Sequence, residues 1–360
     1  HLKCVNNFYL LLNLDRMISF ASDNHSGVHP SIMEAIIAAN SAHQIAYGGD
    51  EYTERAVARI REVLGVADAK VFFTFNGTGS NILALQAATP RYGSIICADT
   101  AHINVDECGA PERMIGCKVV AVPNVDGKLT PENAAKKLEG FDFEHHSQPS
   151  CFSIAQSTEL GTCYTEAEIA ALSAMAHKNG MYLHLDGARL ANAVVSSGLT
   201  AAQMVRSVDV MSFGGTKNGM MMGEAVVVLN PALGTNLKYE RKQASQLSSK
   251  MRYVGAQFER YLADDLWLTM ARHSNAMAGL LYSLVKDYVQ VTQVVESNAV
   301  FAILPSAARE ELLGKWVFYD WDVSSGEVRW MCSFDTTEAD VRAFAADVAK
   351  AVSHTATAHI

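Results

Sequence analysis

A chain of 360 residues, 49% of them hydrophobic, carries enough apolar side chain for a sizeable core, and its length fits one large α/β domain plus a smaller one. A formal net charge of -9 with no long basic run argues against a nucleic-acid surface, which needs clustered Lys and Arg. Seven cysteines (Cys4, Cys97, Cys108, Cys117, Cys151, Cys163, Cys332) lack any Cys-x-x-Cys spacing, which argues against a disulfide framework and a zinc site and predicts a reducing, cytoplasmic compartment.

Residue 1 is His, and the apolar run 8–14, interrupted by Asn13, is too short to span a membrane and shows no Ala-x-Ala-like cleavage site. Residues 1–16 are set aside as a leader, extension or cloning remnant. A loop with Gly27 and Pro30 leads to a helical pattern over 31–42, with Ile32, Ile36 and Ile37 on one face. The polar stretch 47–52 precedes an amphipathic helix (Ala56, Ile60, Val63, Leu64) that Gly65 closes. From Val71 short apolar runs alternate with capped helices, predicting strands at 71–75, 94–98, 118–122, 151–156, 181–185, 208–212 and 224–229. Thr130 before Pro131, with Gly140 beyond, and Thr165 with Glu168, ended by Gly180, mark two helices. Beyond about Tyr253 the periodicity is that of longer helices, followed by strands at 299–304, 316–319 and 327–334 and a final helix from Thr337 carrying Val341, Phe344 and Val348. The expected domains are therefore 17–252 and 253–360, the first built on the βα rhythm of a buried sheet.

Four constellations could carry chemistry. Asn76, Gly77, Thr78, Gly79 and Ser80, between a strand and the helical run 81–88, read as a phosphate cradle or as a tight turn capped by Thr78 or Ser80. The Gly77, Gly79 and Asp99 spacing imitates a dinucleotide fingerprint, but its third glycine position is Ile82. Asp186, at the end of an apolar strand, could hold a cationic ring nitrogen or cap the next helix beside Arg189. His102, also following a strand, could stack on a flat cofactor or be a loop residue. Lys217, between Gly214–Gly215 and Gly219, is either a lysine in a solvated turn or a nucleophile whose pKa is lowered by apolar surroundings. The neighbouring Met220, Met221 and Met222 read as core filling. No metal site is expected: Gly27 and Pro30 spoil the helix that His25 and His29 would need, and adjacent His145 and His146 diverge.

Cradle, acid and lysine, in that order, are the parts that hold pyridoxal phosphate. With Ser22 and Asp23, Tyr47 to Asp50, Gly77 and Thr78, Ala101 and His102, Glu107, the stretch 183–189, Thr216 with Lys217, and Arg329, the chain resembles the threonine aldolases, within the fold-type I pyridoxal-phosphate enzymes, from Met17 to about Val352. The resemblance implies a mostly parallel seven-stranded sheet between helices and a smaller α/β C-terminal domain. It implies that Lys217 carries the cofactor, Asp186 binds its pyridine nitrogen, and Gly77, Thr78 and Thr216 line its site. His102 looks like the ring-stacking histidine, Arg189 like a cofactor-side arginine, and Ser22 with Arg329 like the pair that grips the substrate carboxylate. Tyr47 is similar to a family tyrosine near the dimer interface, grouped here with the substrate contacts, and Arg241 with Lys242 resembles a basic pair reaching a neighbouring subunit's phosphate. Many members carry Thr-His-Asn where this chain has Thr158, Glu159 and Leu160, so Glu159 stands in the histidine position. The activity implied is cleavage of L-threonine or L-allo-threonine to glycine and acetaldehyde, with Glu159 or His102 as base, in a homodimer or homotetramer. The rival readings are a β-eliminating lyase, an aminotransferase, a nicotinamide-dependent oxidoreductase or a non-catalytic small-molecule binder.

Overall fold

The computed structural model describes residues 18–357, and the expectation for residues 1–16 lies outside them. The chain forms two compact units, Val28–Thr269 and a smaller one joining the segment up to Gly27 to Met270 and beyond. The expected division near Arg252 falls inside the larger unit, because helix Arg252–Leu262 packs its buried face on helix Glu51–Leu64.

That second helix shows how local chemistry sets the ends of an element. The Asp50 carboxylate accepts from the Thr53 amide at 2.8 Å, Glu51 and Glu54 face the positive first turn, and Gly65 ends the helix at φ +66°. The capping box of Thr165 and Glu168 likewise starts helix Glu166–Lys178. The helix that follows the proposed phosphate loop begins earlier than expected. It spans Gly77–Ala88 with Asn76 as its cap, since the Asn76 side chain accepts from the Gly79 amide at 2.8 Å. Neither Thr78 nor Ser80 caps it, and the Ser80 hydroxyl instead meets Thr74 Oγ1 at 2.6 Å.

The larger unit's sheet comprises β1 (Lys70–Thr74), β2 (Gly93–Ala98), β3 (Lys118–Val122), β4 (Gln148–Ala155), β5 (Tyr182–Gly187), β6 (Val210–Gly214) and β7 (Glu224–Val228), in the order β1-β7-β6-β5-β4-β2-β3. Pairings from β3 to β6 are parallel, while β7 is antiparallel to both its neighbours. Six strands therefore end at one edge, and the reversed β7 begins there. β2 is buried along its whole length, with Ile95, Ile96 and Cys97 fully covered. Each of the two isoleucines contributes about 2 kcal/mol.

His184 is fully buried in the middle of β5, where Nδ1 meets Ser153 Oγ at 2.9 Å and Nε2 has no partner. Burial pulls its pKa down to about 4. The unfolded chain therefore takes up a proton near pH 6.5 that the folded chain refuses, so stability present above pH 6.5 is lost as pH falls towards 4. The expected loss is about 3 kcal/mol. Urea midpoints followed from pH 7 to pH 4.5 should show this decline, and it should be absent in His184→Asn.

The smaller unit holds an antiparallel sheet of order β10-β11-β9-β8, from β8 (Gln290–Val291), β9 (Ala299–Ile303), β10 (Tyr319–Asp322) and β11 (Glu327–Met331). The two-residue β8 carries no sequence signal. The strand expected at 316–319 instead begins at Tyr319, because residues before it pair with the start of the chain through the Ser19–Val317 bridge. Phe20, fully buried, stacks on Phe344 at 4.5 Å in this unit's core. Among the described residues no helix is long and apolar enough to cross a membrane, and the six cysteines are free thiols.

Candidate active site

Every expected site residue of the larger unit except Tyr47 and Arg241 lies at or just beyond the end of a sheet strand at the shared edge, Asp186 among the last residues of β5 and the others after their strands. After β1, helix Gly77–Ala88 presents a first turn whose Gly77 and Thr78 amides have no acceptor within the helix. A side-chain carbon at Gly77 would meet nothing within 4 Å, so the space over the turn is open. At Gly79 it would lie 2.4 Å from the Gln246 side chain, whose oxygen accepts from the Phe75 amide at 2.9 Å. The turn thus offers two backbone donors, the positive end of a helix and room for an anion, which suits a phosphate group.

Asp186, the last residue but one of β5, is buried and fully engaged. Oδ1 accepts from the Ala188 amide at 2.9 Å and from Ser212 at 3.4 Å, and Oδ2 accepts from Asn81 Nδ2 at 2.8 Å. Burial alone would push this carboxyl upward, but His102 and Lys217, with the Asn81 bond, hold it below its ordinary value. A carboxylate kept ionised in a buried site is the partner a pyridinium nitrogen requires. Its bond to Ala188 is the local turn contact that sequence allows, while Arg189 stands immediately before the next helix, Leu190–Ser197, without a side-chain capping bond.

After β2, His102 Nδ1 lies 2.9 Å from Glu107 Oε1, which also accepts from Asn81 Nδ2 at 2.9 Å. A carboxylate only accepts, so the shared proton sits on Nδ1. Burial lowers the imidazole pKa, but the Glu107 bond and the Asp186 charge outweigh it, and the net shift is upward. Asn81 therefore joins the His102 and Asp186 carboxylate partners in one buried network. Sequence reading missed it because a mid-helix Asn looks like any polar residue of a helix face.

The loop after β4 brings Glu159 to the same place, where its Oε1 accepts from the His102 amide at 2.9 Å. Burial raises its pKa to about 7, with Asp186 adding to the rise and the His102 amide and ring opposing it. After β6, Thr216, Lys217 and Asn218 form a single 3-10 turn. Asn218 anchors it by donating to Tyr261 Oη and to the Trp267 carbonyl, both at 2.9 Å. A side-chain carbon at Gly215 would fall 2.1 Å from Met220 Sδ, so the Met220 side chain packs directly against the glycine. Met220 is the core residue expected, but Met221 and Met222 are 38% and 44% exposed and are not core filling.

The remaining expected residues lie elsewhere. Arg241 donates to the Phe73 carbonyl at 3.2 Å and covers the Phe72 ring, so within its own chain it is occupied against β1. Tyr47 sits on an exposed loop with Lys242 over its ring. In the smaller unit Arg329 donates to the Ala21 carbonyl at 3.1 Å, next to Ser22, which caps the short turn Asp23–His25. Ser22 and Arg329 are thus brought together within that unit. Among the described residues no cluster of three or more His, Cys, Asp or Glu could hold a metal ion.

A sheet of this strand order, with phosphate turn, buried acid and lysine at one edge, defines a fold-type I pyridoxal-phosphate enzyme. The chain belongs to the beta-eliminating lyase family, which it matches over residues 19–307. It is 43% identical over 345 residues to the low specificity L-threonine aldolase of Pseudomonas sp. (strain NCIMB 10558), covering 94% of this chain and 99% of that one. The solved threonine aldolase of Leishmania major superposes with a TM-score of 0.89 at 34% identity, over 93% of this chain and 99% of that one. An aspartate aminotransferase of Thermus thermophilus shares the fold alone, with a TM-score of 0.71 at 14% identity over 93% and 91% of the two chains.

Proposed function

We propose that this chain is a pyridoxal-phosphate-dependent threonine aldolase, an aldehyde-lyase that cleaves L-threonine or L-allo-threonine to glycine and acetaldehyde. The observation that carries the reading is the ionised, buried Asp186 at the edge where the Gly77–Thr78 amides and Lys217 also lie. The substrate follows from the name carried by relatives such as that of Pseudomonas sp..

Gly77 and Thr78 hold the phosphate, Lys217 carries the cofactor, and Asp186 keeps a proton on the pyridine nitrogen. Thr216 and Arg189 complete the cofactor contacts within the subunit, and Arg241 reaches the phosphate of a neighbouring subunit. When bound, the cofactor supplies an electron sink for the pair left at the substrate α-carbon. In the larger unit His102 would stack on the cofactor ring and Tyr47 would be a substrate contact, and in the smaller unit Ser22 with Arg329 would take the substrate carboxylate. Cofactor binding belongs to the larger unit and carboxylate recognition to the smaller. The protein works as a homo-oligomer, a dimer with shared sites or a tetramer of such dimers, in the cytoplasm.

Glu159 takes the proton from the substrate β-hydroxyl, and a base must be ionised to do so. Its pKa of about 7 predicts a rate that climbs with pH through neutrality and levels above it. Glu159→Gln should lower kcat by about a hundredfold or more and remove that rise. If the rise survives, His102 is the base.

Product analysis tests the function itself. Incubation of the cofactor-loaded protein with L-threonine and with L-allo-threonine should yield glycine and acetaldehyde in equal amounts. Ammonia with a keto acid, or transfer of the amino group to an acceptor, would overturn the reading.

A further inference from the structure

One buried carboxylate at the site has no role in the function above. Glu224 opens β7, the reversed strand, so it lies at the edge where the other strands end, paired in register with Gly214 on one side and Thr74 on the other. Its Oε2 accepts from the Gly215 amide at 3.1 Å, two residues before Lys217. A side-chain carbon at Gly214 would lie 2.7 Å from the Ala188 backbone and 2.9 Å from that oxygen, so the glycine admits both the turn that follows β5 and the carboxylate. A buried carboxylate costs free energy unless it is paired, and β7 would be complete with a small or apolar residue at this position.

We propose that Glu224 is a positioning residue for Lys217, holding the 215–217 turn through the Gly215 amide and setting the charge state of the lysine nitrogen. The proposal rests on Lys217 being the cofactor-carrying lysine. The charged and titratable groups around Glu224 are few. Lys217 follows the same turn, Asp186 comes from β5, and the Tyr261 phenol comes from helix Arg252–Leu262. Helix Gly77–Ala88 has no titratable side chain, and the Lys70 of β1 pairs at the far end of β7. Burial raises the Glu224 pKa to about 7, the Thr216 hydroxyl, the Lys217 charge and the Gly215 amide oppose the rise in that order, and Asp186 adds to it. Near neutrality Glu224 therefore exchanges a proton readily, and in its ionised form it favours a protonated nitrogen on Lys217. When the lysine must act as a nucleophile, its ammonium proton passes to the ionised Glu224 carboxylate, leaving a free amine beside a neutral carboxyl.

The test compares the native protein with Glu224→Gln, which keeps an acceptor for Gly215 without the charge, and Glu224→Asp, which keeps the charge. The cofactor-free proteins are labelled with an amine-acylating reagent across a pH series, and labelling of Lys217 is followed by mass spectrometry. The midpoint for Lys217 should fall by about one pH unit in Glu224→Gln and stay nearer the native value in Glu224→Asp. With cofactor bound, the pH midpoint of its visible band should move in the same order. Folded variants with an unmoved Lys217 midpoint would overturn the proposal. A native protein that gives no visible band, or whose band is not attached at Lys217, would instead fail the cofactor assignment, and the labelling series still decides the Glu224–Lys217 coupling.

Discussion

Lys217→Ala should abolish turnover, leaving a rate lower by about five orders of magnitude, the low end of the advantage a well-placed internal nucleophile holds over one in solution. The geometry explains why no neighbour can replace it. The turn Thr216–Asn218 is pinned from both sides, by Asn218 on Tyr261 and Trp267 and by Gly215 against Met220, so its lysine is delivered to one place. The nearest lysine in sequence, Lys238, lies in helix Leu237–Gln243 beyond β7. Single-turnover assays and borohydride labelling check the prediction together. The native protein should be labelled at Lys217 alone, and the variant should bind the cofactor reversibly without label. Ordinary turnover by the variant would remove Lys217 from the reaction.

The second large effect is expected at Asp186. Asp186→Asn keeps the shape and a bond to Asn81 or Ala188 but removes the charge that helps to raise the His102 pKa and that faces Lys217. The developing negative charge of the reaction is stabilised only while the pyridine nitrogen is protonated, so kcat should fall by roughly a hundred- to a thousandfold. A separate signature comes from His102, whose pKa is raised in part by the Asp186 charge. In the variant the His102 titration, followed by proton NMR in the cofactor-free protein, should move downward. A loss of rate with an unmoved His102 would mean that the network through Asn81 does not couple the two groups.

The parts of this site that could be read in the sequence are those whose chemistry is local. Lys217 among glycines, Asp186 after an apolar run and the Asn76–Ser80 turn each lie at or after a strand end, and strand ends are visible as breaks in hydrophobicity. Thr165 with Glu168 is legible for the same reason, since donor and acceptor are three residues apart. What escaped is joined across the fold. Asn81 links Glu107 to Asp186 from the interior of a helix, and Glu224 reaches the site only because β7 runs backwards. Strand direction has no signature in a five-residue apolar run, so a residue at a strand's first position looked structurally ordinary. Thr78 and Ser80 read as caps of the tight turn after β1 because both are good capping residues, but Asn76 is as good and lies nearer the strand. The unit boundary was misplaced for a related reason: helical periodicity begins near Tyr253, yet the face it buries belongs to the larger unit.

Phe20 bears on how the chain is made. Its amide donates to the Val317 carbonyl, its own carbonyl accepts from Met331, and its ring fills the core around Trp316 and Phe344. During synthesis the ribosome releases this segment long before its partners, so the smaller unit cannot close until nearly the whole chain has emerged, whereas the sheet of the larger unit has all its strands by Val228. The exposed early segment must wait with an aromatic ring uncovered, and the larger unit is expected to acquire protease resistance first in a time course of translation.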